Sequence, residues 1–175
     1  MSENETFGFQ LEIDQTRAIA VYTRQADQGA DTEHSGSSMI LLALQNYGTL
    51  LFGESEANIR LYDEGAGASG RRQIDQRKEL ERLCHDIENG TIGTIITAGE
   101  SRLFRDAHPA QVTAFTQLAR KMRIALIIPS ALSGETRLYD FANSEQAAGF
   151  EEEMTKAYEY IRNQIRSITP RTTQK

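Results

Sequence analysis

Six arginines fall in or beside three polar loops of this chain: Arg24, then Arg71, Arg72 and Arg77, then Arg102 and Arg105. Arginine suits phosphate, because its planar guanidinium presents several donors in a fixed fork. Arg102 and Arg105 are three residues apart, which on a helical turn points both the same way. The bland alternative is six solvated arginines paired with the chain's many carboxylates, the ordinary state of exposed charge. One loop, "GAGASG", holds a GxGxxG at Gly65, Gly67 and Gly70. It lacks the Lys-Ser/Thr of a phosphate-binding P-loop, so a flexible loop is the better reading.

The loops matter only if the fold brings them together. "RAIAVYT" (Arg17 to Thr23) is a short, nearly continuous apolar run, as expected of a strand covered on both faces. "NIRLYDE" (Asn58 to Glu64), "TIGTIITA" and "RIALIIP" read as three further strands, and "RLYDF" as a short edge strand. Between them lie helical patterns. "SSMILLALQNYG" ends near Gly48. A second helix aligns Leu80, Leu83, Cys84 and Ile87 and closes at Asn89-Gly90. A third starts at Pro109 with Val112, Phe115, Leu118, Ala119 and Met122 inward.

Alternating strands and helices imply an α/β three-layer sandwich. Its central sheet of four to five strands is mainly parallel, with helices on both faces. In such sheets ligands sit beyond the carboxyl ends of the strands. The loops starting at Arg24, Asp63 and Gly99 should therefore converge. A final helix starts near Asn143 and carries Phe150, Met154, Ala157, Tyr158, Ile161, Ile165 and Ile168. That stripe is long for a helix packed only on its own domain, which favours contact with another protomer. The expected organisation is a flexible segment over 1–16, a domain over 17–142, the long helix over 143–169 and a tail over 170–175.

The bulk numbers narrow the function. A chain of 175 residues with 39% hydrophobic and 25% charged content is an ordinary single globular domain. A net charge of −6 argues against a generic nucleic-acid coat while allowing a local basic site. Cys84 is the only cysteine, so no internal disulfide exists. His34, His85 and His108 are scattered, which speaks against a zinc site, and Cys84 reads as core. No apolar run approaches the roughly 20 residues that cross a bilayer, and the polar start is unlike a signal peptide. A cytoplasmic protein without membrane association is expected.

Taken in order, the loops resemble the catalytic domain of serine site-specific recombinases, the resolvase, invertase and large serine integrase family. That family's first strand ends in Y-x-R-x-S; here Tyr22, Thr23, Arg24, Gln25 and Ala26 stand in those places. "YDEGAGASG" and then Arg77 match its acidic turn, small-residue loop and helix-opening arginine. Ser101, Arg102, Leu103, Phe104 and Arg105 match its S-R-L-x-R. "TRLYDFANSEQAAGF" looks like the turn into its long dimerisation helix. The likeness runs from about Arg17 to Ile168.

The resemblance implies phosphoryl transfer without metal or cofactor. A serine oxygen attacks a DNA phosphate, leaving a 5′-phosphoserine link and a free 3′-hydroxyl; subunits of a dimer or tetramer then exchange strands and religate. Arg24, Arg77, Arg102 and Arg105 would hold the scissile phosphate and stabilise its transition-state charge. Asp63 would orient one of them, Ser101 would belong to the catalytic set, and Arg71 and Arg72 would join in binding the DNA phosphate.

At the nucleophile position this chain has Ala26, whose methyl group cannot attack phosphorus. Thr23 should face the other way on its strand, and Ser35, Ser37 and Ser38 lie beyond a loop. The family's glutamines after the serine and in the first helix align with Ala30 and Leu41, although Gln28 could stand in for the first. Either an alanine was put in place of serine to silence an enzyme, or the chain is a natural degenerate. The chain also ends at Lys175, before the DNA-binding domain that family members carry. A cleavage-inactive catalytic domain, a non-catalytic relative that regulates recombination by pairing with itself or an active recombinase, and a domain binding a small anionic ligand are the readings that remain.

Overall fold

The computed structural model describes residues 14, 16–24, 44, 46, 59–65, 68–105, 107–129 and 136–168. Five strands form one sheet: β1 (Ala18–Thr23), β2 (Ile59–Asp63), β3 (Ile92–Thr97), β4 (Ala125–Ile128) and β5 (Arg137–Asp140). Their spatial order is β2-β1-β3-β4-β5. The first four run parallel, and β5 pairs antiparallel with β4 at the edge. The α/β sandwich expected from the alternation is the fold observed, short edge strand included.

β1, β3 and β4 are buried at every residue, the pattern of parallel strands covered on both faces. One face packs Ala18, Ala20, Tyr22, Ile95 and Leu126 against the helices in a single core. The helices on it are α1 (Lys78–Glu88), α3 (Pro109–Lys121) and α4 (Ser144–Ile168). The alternate residues Ile19, Val21, Ile96 and Ile127 are equally buried. So is Leu44, which with Asn46 is helical; the rest of the expected first helix lies outside the described residues. Phe104, Phe115, Phe141, Phe150 and Tyr139 meet largely edge-to-face where α3, β5 and α4 come together.

Caps fit the sequence pattern. His108 accepts a hydrogen bond from Ala110 N ahead of Pro109, opening α3. Gly90 takes a positive φ of 74° after α1, a left-handed position that glycine occupies without strain. At the opposite end of β1 from the arginine loops, Arg17 donates to the carbonyls of Met122, at 2.7 Å, and Ile92 and Arg123, both at 3.2 Å. It thereby fastens the start of β1 to the start of β3 and the end of α3.

α4 is 25 residues long. Ala147, Phe150 and Met154 are buried, whereas Tyr160 and Ile165 are 65% and 59% exposed. Its first half closes the core, and its far end carries apolar side chains that the described part of the domain does not cover. Among the described residues, no helix is long and apolar enough to cross a membrane.

Candidate phosphate site

Strand register sets the site. Tyr22 lies opposite Tyr62 on one side and Thr97 on the other, and Thr23 lies opposite Asp63. β1, β2 and β3 therefore end at one level, and the loops that follow them meet there, as strand topology requires.

Arg24 follows β1 directly and is 5% exposed. Its Nε donates to Arg102 O at 3.2 Å, Nη1 to Ala68 O at 3.0 Å and Nη2 to Ser101 O at 2.9 Å. Arg102 answers with Nη1 to Arg24 O at 3.0 Å. One guanidinium thus ties the second and third loops to the end of the first strand. Burial, then the neighbouring charge of Arg77, lowers the pKa of Arg24, with Arg102 and Arg105 adding to the effect.

Arg77 is 1% exposed. It donates to Leu103 O through Nη1, and through Nη2 to Tyr22 Oη at 2.5 Å and Arg102 O at 3.1 Å. Its Nε has no hydrogen bond and faces Glu64 Oε1 at 3.8 Å. The sequence places Arg77 at the opening of a helix. In the structure it is the residue before α1, with extended φ −120° and ψ 93°, after a short 3-10 turn (Ile74–Gln76).

The expected partner of an arginine, Asp63, instead accepts from Thr23 Oγ1 at 2.9 Å and Gly65 N at 3.0 Å. The carboxylate beside Arg77 is Glu64, one residue on, which also accepts from Tyr22 Oη at 3.1 Å and Leu80 N at 2.9 Å. Successive residues at a strand end point to opposite sides, so the buried side of the sheet takes Glu64. Burial raises the Tyr22 phenol well above its usual pKa, which keeps it a neutral hydrogen-bonding bridge between Arg77 and Glu64.

The third loop holds a one-turn helix, α2 (Glu100–Leu103). Phe104 then turns extended, at φ −134° and ψ 110°, and is buried. The helical spacing argument for Arg102 and Arg105 does not apply, because Arg105 lies beyond the turn. Arg105 is exposed, as are Ser101, Arg71 and Arg72. Gly70 sets the approach of the second loop to the third. A Cβ there would lie 2.8 Å from Arg105 Cβ, 2.9 Å from Arg105 N and 3.0 Å from Arg24 Nη2. Ala26, Gln28, Ala30, His34, Ser35, Ser37, Ser38, Leu41 and Gly67 lie outside the described residues.

Arg24, Arg77 and Arg102 thus interlock through the Arg102 backbone at the carboxyl ends of β1, β2 and β3, with Arg77 facing Glu64 and Arg105 near enough to Arg24 to help lower its pKa. Among the described residues no group of three or more His, Cys, Asp or Glu could hold a metal ion. The loops concentrate guanidinium groups, the side chain suited to an anion, with Arg24 and Arg77 engaged by backbone carbonyls.

Solved structures share the arrangement of elements. The N-terminal catalytic domain of TP901-1 integrase superposes with a TM-score of 0.53 at 19% identity, over 84% of this chain and 98% of that one. The chain has the recombinase catalytic-domain fold. A resolvase family site-specific recombinase from Streptococcus pneumoniae is similar with a TM-score of 0.53 at 17% identity, over 86% of this chain and 94% of that one. No family model matches the sequence, and no curated protein matches it significantly.

Sequence reasoning found the arginines but missed Glu64 and Glu100. Glu64 carried a signal, a second carboxylate at the same strand end. Glu100 carried none, because its partners lie on β5.

Proposed function

We propose that this chain is a serine recombinase catalytic domain that holds a DNA phosphate in its arginine site and, with Ala26 where the attacking serine belongs, cannot cleave it. The observation that carries this reading is the convergence of Arg24, Arg77, Arg102 and Arg105 from three loops, close enough for the other three charges to lower the pKa of Arg24. Arg24 and Arg77 fix the loops, while Arg102, Arg105, Arg71 and Arg72 stand nearer solvent, where a phosphodiester arrives. No metal is required, since guanidinium groups supply the positive charge. The domain acts on DNA in the cytoplasm.

Binding to short duplex DNA tests it. Arg102→Ala and Arg105→Ala should each weaken binding and flatten its salt dependence by roughly one charge. Unchanged affinity and salt slope in both would rule out the phosphate site.

A second reading has its own observation. Tyr160 and Ile165 are exposed on the far end of α4. That surface suits a helix pairing with its own copy or with an active recombinase, in which case the chain regulates assembly rather than cutting.

A further inference from the structure

The geometry points to Glu100 as a positioning residue that couples strand β5 to the arginine loop. This deepens the phosphate-site reading and rests on it. Glu100 is the first residue of α2 and is only 7% exposed. Its Oε2 pairs with Arg137 Nη2 at 2.9 Å, and its Oε1 accepts from Tyr139 Oη at 2.7 Å. Both partners belong to β5, at the opposite side of the sheet from β2.

The next three residues in sequence supply the carbonyls that hold the buried arginines. Ser101 O and Arg102 O accept from Arg24, and Arg102 O and Leu103 O accept from Arg77. Whatever fixes Glu100 therefore fixes the acceptors of two guanidinium groups at once. A buried carboxylate held at two points by charge-assisted bonds is a stiff link.

β5 is in turn seated on α4. The Tyr139 ring meets Phe150 edge-on at 5.3 Å, and Asp140 N donates to Gln146 Oε1 at 2.8 Å. The contact chain runs from the base of the long helix through β5 and Glu100 to Arg24 and Arg77. Burial and the bond to Glu100 both raise the Tyr139 phenol above its usual pKa, so it remains a donor to the carboxylate.

The test uses the full chain with inorganic phosphate as probe, and reads the arginine Nε–Hε signals by NMR. Tyr139→Phe removes one oxygen from β5; Glu100→Gln removes the charge from the loop. Each should move the Arg24 and Arg102 signals, leave that of Arg82 in place and weaken phosphate binding by about fivefold. The double variant should be no weaker than about the worse single, because both act through one link. Unmoved Arg24 and Arg102 signals in both folded variants overturn the coupling, whether or not phosphate binds. Wild-type protein that binds no phosphate, or binding that survives Arg102→Ala, overturns the phosphate site instead; the arginine signals then decide the coupling by themselves.

Discussion

Arg24 and Arg77 come from different loops, yet both donate to the carbonyl of Arg102, at 3.2 and 3.1 Å. The two most buried arginines of the site grip the backbone of the loop that carries a third. They act as struts of the site as well as sources of its field, and their removal should affect folding before it affects binding.

Arg77→Ala leaves Glu64 without its cation, and Tyr22 and the Leu103 carbonyl without a donor, in the interior, while Arg102 O keeps the bond from Arg24. Breaking a buried pair in this way costs about 3–5 kcal/mol. The lower end applies here, because Glu64 keeps bonds from Tyr22 and Leu80 N. Chemical denaturation should show the loss, whereas Arg72→Ala, at an exposed position, should change stability by less than about 0.5 kcal/mol.

Gly70→Ala forces a methyl group against Arg105 backbone and Arg24. The loops must part, at a cost of about 1–3 kcal/mol. Thermal melting should register the strain. Duplex binding should fall as well, since the displaced segment carries Arg102 and Arg105.

Asp14 gives a pH signature far from the site. Hydrogen bonds from the Thr16 hydroxyl and backbone, then from Arg17, lower its pKa from 3.8 to about 2. A depressed carboxylate stabilises the fold above its unfolded pKa and loses that contribution as pH falls through the folded value. Asp14→Asn should therefore be less stable than wild type above about pH 4, with the gap closing towards pH 2. Because Asp14 is 38% exposed, solvent screening holds the gap to about 1 kcal/mol or less.

Ile165→Asp places a charge on the exposed end of α4. Monomer stability should stay within about 0.5 kcal/mol of wild type. Sedimentation at rising concentration should show weaker self-association than wild type if that surface pairs, and the same monomer profile for both proteins would remove the pairing role.

The strands were readable because burial on both faces writes a continuous apolar run: "AIAVYT", "IGTIIT" and "ALII" are buried throughout. α1 and α3 were readable from their apolar spacing and their end signals, Asn89-Gly90 and Pro109. The arginines were readable as a set, through the loops they occupy. Their burial was not, because the acceptors for Arg24 sit 44 to 78 residues away in sequence. The choice of Glu64 over Asp63 depends on which way a strand end faces, and the extended Phe104 breaks the helical spacing between Arg102 and Arg105. Glu100 could be recognised only once β5 was placed beside it.

An arginine site that still holds a DNA phosphate should regain cleavage when serine returns to position 26. Ala26→Ser, joined to a DNA-binding domain and given that domain's site on DNA, tests it by denaturing electrophoresis for covalent protein–DNA adducts. Expected are 5′-linked adducts with serine, none with alanine, and loss of the serine adducts on adding Arg102→Ala. A folded, DNA-bound serine protein that forms no adduct would contradict it and leave the chain a non-catalytic relative.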